Sequence, residues 1–281
     1  MRTAKWEDYK IIATGSGEKL EKWGDVTLLR PDPQVIWKAK KPLNKFENIN
    51  AIYRRSENGG GAWTTLKTFP PEWKISWQGL KFIVKPMGFK HTGIFPEQAV
   101  NWEKMMGLIK NAGREIKVLN LFAYTGGASV ACASVGAKVT HVDASKGMVE
   151  RAKQNASLNN INTIRYIVDD CKKFIEREIR RGQTYDAIIM DPPSYGRGPS
   201  GEMWKIEDNL FDFVELTKKV LSDKPLFVLI NSYTTGLQPG VIANILKIVF
   251  GKENVEADEI GVETEEGIIL PCGASGFKIW E

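Results

Sequence analysis

Three short stretches of the 281-residue sequence join residue types that could do chemistry: Phe122-Ala123-Tyr124-Thr125-Gly126-Gly127, Asp143-Ala144-Ser145 and Asp191-Pro192-Pro193-Ser194-Tyr195. The first ends an apolar run in a tight turn whose glycines permit positive φ and a close approach of backbone to ligand. A pyrophosphate-binding turn would want G-x-G-x-x-G, with its amides aimed at the anion. Two adjacent glycines suit instead a ligand that needs a close backbone edge and no anion cradle, although a plain structural turn would read the same way. Asp143, 16 residues beyond Gly127, is placed to accept both hydroxyls of a ribose in charge-assisted bonds. A nicotinamide nucleotide could use it equally, and so could a helix N-terminus, where Ser145 offers a competing cap.

Asp191-Pro192-Pro193 is the most specific of the three. Two prolines fix φ and remove two amide donors, leaving a rigid carbonyl-lined edge able to accept hydrogen bonds from a target amine. The alternative is a rigid stop to the preceding strand. Tyr195 can stack on an extruded base. Asp170, at the end of another strand, can receive an adenine amino group, while its neighbour Asp169 reads as solvent-facing. Acids at successive strand ends make the site electronegative, which favours a cationic sulfonium over phosphates. The residues therefore point to S-adenosylmethionine and methyl transfer, with Asp191, Pro192, Pro193 and Tyr195 as catalytic candidates. The cofactor candidates are Phe122, Ala123, Tyr124, Thr125, Gly126, Asp143, Ala144, Ser145, Asp170 and Asp191 again, with Cys171 beside the adenine.

The elements that must position these residues read as an α/β, doubly wound, seven-stranded and mostly parallel Rossmann-like sheet. From about residue 97 strands alternate with helices, which calls for a largely parallel sheet covered on both faces. Helices are expected over 97–112, 127–135, 145–159, 171–181, 206–221 and 240–250, and strands over 117–122, 138–143, 163–168, 185–190 and 225–230. Two closing strands are expected near 254–262 and 277–280, joined through a loop at Leu270–Gly276. In such a sheet ligands bind beyond the carboxyl ends of the strands, near the point where strand order reverses.

The first 90 residues read as a smaller β-rich domain, with strands over 26–30, 34–38, 49–55, 74–77 and 80–85, the last two flanking a Gln78-Gly79 hairpin. Glu57 to Gly61 is expected as a loop, and Pro86 to Gly88 marks the expected division between residues 1–90 and 91–281. Residues 1–90 hold 17 Lys/Arg against 9 Asp/Glu, net +8, while the remainder holds 22 against 25, net −3, within a total of +5. Six of nine tryptophans (Trp6, Trp23, Trp37, Trp63, Trp73, Trp77) share the basic segment. Basic charge among flat rings suits an RNA surface; a tryptophan-rich β core with a solvated lysine face is the alternative.

Cys132, Cys171 and Cys272 are isolated and accompany two histidines, His91 and His141, so neither a disulfide framework nor a metal site is expected. No apolar window of 18 residues and no apolar leader segment occurs, so neither a membrane span nor a secretory signal is expected and the expected compartment is the cytoplasm.

From about residue 91 to 240 the chain closely resembles the large-subunit ribosomal RNA methyltransferases of the cytosine carbon-5 type, within the class I superfamily. The matching stretches are Leu119 to Gly127, Val142-Asp143-Ala144-Ser145, Ala152-Lys153-Gln154-Asn155, Asp169-Asp170 and Asp186 to Pro193. Upstream, Thr92-Gly93-Ile94-Phe95-Pro96-Glu97-Gln98 resembles the segment that closes over the cofactor, which implies that Phe95 and Gln98 line that site; Ala99 and Trp102 stand where relatives carry arginines. Carbon-5 transfer needs a thiolate that attacks carbon 6, and Asn231-Ser232-Tyr233 puts a serine where the family has this cysteine. Cys272 is a conceivable substitute or a buried inert thiol. The expected reaction is thus methyl transfer to an RNA base, a nitrogen by preference. Transfer to a small molecule or a protein, and a nicotinamide-dependent oxidoreductase, are the rival readings.

Overall fold

The computed structural model describes residues 1–56, 60–197 and 203–280, so 57–59 of the expected loop lie outside the described residues. The chain divides into two compact units, Met1–Val100 with Gly261–Cys272, and Asn101–Ile260 with Gly273–Glu281. Pro86 to Gly88 lies inside the first unit, and a segment late in the sequence returns to it.

In the first unit β1 (Tyr9–Gly15), β2 (Glu18–Trp23), β3 (Val26–Pro31), β4 (Ala51–Arg55) and β5 (Gly61–Thr65) form one sheet in sequence order. Its pairs are antiparallel except β3 with β4. The hairpin β6 (Trp73–Trp77) and β7 (Leu80–Val84) turns at Gln78 and Gly79 with φ of 45° and 78°, the two positive values that match a two-residue turn to strand twist. The late segment joins through Thr264, which bridges Ile11, and Glu265, whose N–H donates to the Ile11 carbonyl at 2.9 Å.

The expected strand at 34–38 is instead a loop, held by Ser16 and Gly17 amides donating to the carbonyls of Trp37 (2.6 Å) and Val35 (2.8 Å). The tryptophans of this unit build its interior. Trp23 and Trp77 are fully buried, while the indoles of Trp6, Trp37, Trp63 and Trp73 donate to Pro96 O, Thr14 Oγ1, Met87 O and Trp23 O. Lys38, Lys40, Lys41, Lys45, Arg54, Arg55 and Lys67 remain exposed.

The second sheet has seven strands: β8 (Lys117–Leu121), β9 (Lys138–Asp143), β10 (Arg165–Val168), β11 (Ala187–Met190), β14 (Phe227–Ser232), β15 (Val255–Glu263) and β16 (Ile269–Ile279). Their order is β10-β9-β8-β11-β14-β16-β15, so strand order reverses between the parallel neighbours β8 and β11. The five from β10 to β14 pair in parallel and β16 runs antiparallel to β14. Val118, Leu119, Leu121, Ile188, Ile189, Met190 and Phe227 to Ile230 are all buried; such unbroken apolar strands need cover on both faces.

The cover comes from α1 (Ala99–Asn111), α2 (Gly127–Ser134), α3 (Lys146–Leu158), α4 (Cys171–Arg180), α5 (Ile206–Lys218) and α6 (Pro239–Phe250). Their buried residues recur at helical spacing, as in Ile206, Leu210, Phe213, Val214 and Thr217 of α5. A short hairpin, β12 (Tyr195–Arg197) and β13 (Met203–Lys205), leaves the sheet after β11. Where the sequence reads as a Gly/Ser loop at 270–276, the chain is strand β16. Its glycines answer close packing: a Cβ on Gly276 would lie 2.6 Å from Ile242 Cγ2. Among the described residues no helix is long and apolar enough to cross a membrane.

Candidate active site

Leu121 of β8 is the register partner of Met190 of β11. The residues that follow them, Phe122 and Asp191, therefore leave the sheet side by side at the reversal of strand order, where ligands of open α/β sheets bind. Leu121 also pairs with Val142, and Val168 with Asp143, so the turn at Phe122, the acid at Asp143 and the acids after β10 open on the same sheet edge.

The turn is unusual in its backbone. Phe122, Tyr124 and Gly126 all have positive φ, at 54°, 50° and 82°. For the two non-glycine residues this is a strained state of the kind that gathers at functional sites. At Gly126 it is joined by crowding, since a Cβ there would sit 2.9 Å from that of Ala152. Four of the turn's amides are spent within the protein: Phe122 N–H donates to Cys171 Sγ (3.3 Å), Ala123 N–H to Val142 O (3.1 Å), Tyr124 N–H to Asp143 Oδ2 (2.9 Å) and Gly126 N–H to Ala123 O (3.0 Å). Asn155 of α3 holds the Thr125 carbonyl at 2.9 Å. A backbone with its N–H groups so committed offers little to a pyrophosphate, and the fit is to a ligand without one.

Asp143 is anchored from both sides, Oδ2 by Tyr124 and Oδ1 by the N–H of Ser145 at 2.8 Å. Burial pushes its carboxyl above the ordinary range, an effect that these two amides partly offset. Each oxygen keeps a lone pair for a hydroxyl donor. Ala144 and Ser145 are exposed, and Ser145 occupies the N-cap of α3 without a side-chain cap bond. Asp170 caps α4, Oδ1 accepting the Lys173 N–H at 2.9 Å. Asp169, which reads as solvent-facing, is instead half-buried, pairs with Arg177 and accepts the Asp170 N–H at 2.9 Å. Cys171 is 3% exposed, and its thiol is raised by burial and by the charges of Asp143, Asp170 and Asp169. Those acids gather around one point, the setting that a sulfonium cation fits.

The Asp191-Pro192-Pro193-Ser194 edge is fixed on its far side. The Pro193 carbonyl accepts the Trp204 indole N–H at 2.6 Å, the Ser194 carbonyl accepts the Ile206 N–H at 3.1 Å, and the Ser194 and Thr234 hydroxyls meet at 2.6 Å. The carbonyl-lined edge is thus narrower than the sequence implies, with two of its carbonyls already engaged. Pro192 is buried; Tyr195 is 57% exposed, its hydroxyl 3.4 Å from Met203 Sδ. At the end of β14, Ser232 is buried and its hydroxyl accepts the Thr234 N–H at 3.2 Å. Asn231 beside it joins a buried chain with Asn101 (3.1 Å) and Ser275 (3.2 Å to Asn101), which sequence spacing could not foretell.

Phe95, Gln98, Ala99 and Cys272 belong to the first unit. Phe95 is half-buried, its ring edge-on to His91 at 5.4 Å, and Gln98 is buried. Ala99 and Trp102 lie in the core. Cys272 donates to Leu270 O at 3.5 Å, and burial together with Glu97 pushes its thiol well up. His141 is wholly buried; Ser129 meets its Nδ1 at 3.0 Å, and Nε2 has no partner among the described residues.

Residues 52–204 match the S-adenosylmethionine-dependent methyltransferase family. A crystal structure of the S-adenosylmethionine-dependent methyltransferase from Agrobacterium tumefaciens is similar over 99% of this chain and 92% of its own, with 34% identity and a TM-score of 0.92. The ribosomal RNA large subunit methyltransferase K/L of Pseudoalteromonas translucida is 30% identical over 190 residues, 66% of this chain and 26% of that protein. Its namesake from Shewanella frigidimarina is 33% identical over 180 residues, 63% and 24%. The chain spans about a quarter of the length of those two relatives. By the family match and by a likeness that runs nearly end to end, the chain belongs to the S-adenosylmethionine-dependent methyltransferases.

Proposed function

We propose that the chain transfers a methyl group from S-adenosylmethionine to a nucleophilic nitrogen on a base of large-subunit ribosomal RNA. The observation that carries the reading is the side-by-side exit of Phe122 and Asp191 from register-paired strand ends, which brings a phosphate-free cofactor turn against a rigid proline edge. The RNA substrate is supported by the names of the K/L relatives and by the exposed lysines and arginines of the first unit. The tryptophans of that unit lend no support, because they are buried or donate their indoles internally.

In this reading Asp143 holds the ribose hydroxyls, Asp170 and the backbone at Cys171 face the adenine, and Phe122 to Gly126 with Ala144 and Ser145 frame the rest. The bound sulfonium supplies an activated methyl whose departure needs neither acid nor metal. The protein's part is alignment and electrostatics. Asp191 and the carbonyls beside it receive the N–H of the incoming amine, Pro192 and Pro193 keep that edge from moving, and Tyr195 stacks on the extruded base. A nitrogen is favoured over carbon 5 because a serine, Ser232, stands where the thiolate would be needed and burial disfavours the thiolate of Cys272.

Nucleoside mass spectrometry of ribosomal RNA from cells with and without the protein tests the proposal. Loss of one N-methylated nucleoside is expected. Loss of a 5-methylcytosine instead would overturn the nitrogen assignment. Unchanged RNA, with substrate binding insensitive to salt, would favour a small-molecule or protein acceptor.

A further inference from the structure

Trp204 stands outside every motif in the sequence, yet three parts of the candidate site meet on it. Its indole N–H donates to the Pro193 carbonyl at 2.6 Å. Its ring lies 5.3 Å from that of Phe122 and 5.5 Å from that of Phe213, which are 5.3 Å from each other. Through its backbone it pairs with Gly196, across the hairpin from Tyr195. One side chain therefore touches the strained first residue of the cofactor turn, the last proline of the acceptor edge and the base of the hairpin that carries Tyr195.

We propose that Trp204 is a positioning residue that keeps the cofactor turn and the acceptor edge at a fixed distance from each other. The inference rests on the methyl-transfer reading above. Proline lacks an N–H, so the segment Pro192-Pro193 can be tied down only through its carbonyls and its neighbours. The indole supplies such a tie. Phe122 has positive φ, a state that persists only where packing imposes it, and the Trp204 and Phe213 rings supply that packing. A core tryptophan needs only to fill space. This one is half-buried and spends its single donor on the edge where the acceptor is to sit. In-line methyl transfer tolerates little misplacement, since a shift of about 1 Å can cost roughly 100-fold in rate.

The two interactions can be separated. Trp204→Phe keeps an aromatic ring against Phe122 and Phe213 but removes the N–H, whereas Trp204→Ala removes both. The test follows methyl incorporation from radiolabelled S-adenosylmethionine into ribosomal RNA of cells lacking the protein, together with calorimetry of S-adenosylhomocysteine binding. For Trp204→Phe the expected result is kcat lowered about 30–100-fold, with KM for RNA and affinity for S-adenosylhomocysteine within about 3-fold of wild type and an unchanged melting temperature. Trp204→Ala is expected to weaken S-adenosylhomocysteine as well; should it fail to fold, Trp204→Phe carries the test alone. A wild-type kcat in Trp204→Phe overturns the proposal, as does a loss of cofactor affinity in it as large as its loss of rate. A third measurement needs no RNA: in protein carrying 15N-labelled tryptophan, the indole resonance absent from Trp204→Phe should shift when S-adenosylhomocysteine is added. If wild type binds S-adenosylhomocysteine but methylates none of this RNA, the RNA reading falls while that resonance still decides on Trp204; a resonance that stays in place overturns it.

Discussion

The backbone amide of Tyr124 donates to the carboxylate of Asp143 across 2.9 Å, so the Phe122–Gly126 turn and the acid proposed to hold the ribose are one hydrogen-bonded unit. Removing the carboxylate would then have two effects: the proposed ribose contact loses its acceptor, and a part-buried N–H in a strained turn loses its partner. Asp143→Ala is expected to weaken S-adenosylhomocysteine by about 1.5–3 kcal/mol, the usual loss for a charged hydrogen bond. Isothermal calorimetry reads this directly, and wild-type affinity in the variant would remove Asp143 from the site. Because burial raises the carboxyl above the ordinary carboxylate range, wild-type affinity should also begin to fall at a higher pH than an exposed aspartate would allow, as protonation takes the acceptor away.

Much of this site is legible in the sequence because strand ends announce themselves. Ala187 to Met190 and Phe227 to Ile230 are unbroken apolar runs, and only a sheet covered on both faces produces them; the residues just past their ends are then the ones to inspect. The β6–β7 hairpin was equally readable from Gln78-Gly79. Strand β2, Glu-Lys-Leu-Glu-Lys-Trp, was not, because its charges alternate with a period that fits a solvated helix as well. Its extension is imposed by cross-strand pairing with β1 and β3, and Glu21 is buried within pairing distance of Arg30 on the neighbouring strand. Strand β16 was hidden by small residues that close packing demands, and Trp204 by a hairpin that folds it back onto Pro193. Such features depend on which segments meet, and local composition does not record that.

The pair Glu21–Arg30 leads to a stability prediction. Glu21 is fully buried, accepts two guanidinium bonds from Arg30 (2.5 and 2.7 Å) and one from the Tyr9 hydroxyl (2.7 Å). Although burial opposes its ionisation, Arg30 and Lys19 hold its carboxyl at about 2. Glu21→Gln leaves Arg30 buried and uncompensated, which typically costs about 3–5 kcal/mol. Urea denaturation should show a transition displaced by that amount; a shift under about 1 kcal/mol would mean that the pair contributes nothing beyond its hydrogen bonds.

His141 gives the protein an acid-sensitive component. Burial holds its imidazole at about 4, below the ordinary 6.5, so the unfolded chain binds the proton first as pH falls. The sign follows from that difference: the stabilisation is present above about pH 6.5 and is lost between there and about pH 4. Between pH 7 and pH 5 the loss attributable to this one group is about 2 kcal/mol. His91, also held at about 4, chiefly by burial, adds to the same window. Unfolding free energies measured at both pH values should therefore fall less for His141→Gln than for wild type; parallel losses would show that His141 is not the titrating group.

The choice between nitrogen and carbon 5 comes down to whether any side chain forms a covalent bond to the base. Ser232 is buried at the end of β14, its hydroxyl accepting the Thr234 N–H, and a serine hydroxyl is a weak nucleophile unless a base ionises it. Cys272 has the required atom, but burial, and after it the charge of Glu97, raises its thiol, and a catalytic thiolate needs electropositive surroundings. Ser232→Ala and Cys272→Ser, singly and together, are therefore expected to keep methyl transfer to ribosomal RNA within about 3-fold of wild type, because alignment rather than covalent attack sets the rate. An RNA substrate carrying 5-fluorocytidine provides a second check, since a carbon-5 enzyme would be trapped as a covalent adduct. Loss of all turnover in Cys272→Ser, accompanied by a wild-type adduct that the variant cannot form, would establish cysteine catalysis and move the methyl from nitrogen to carbon.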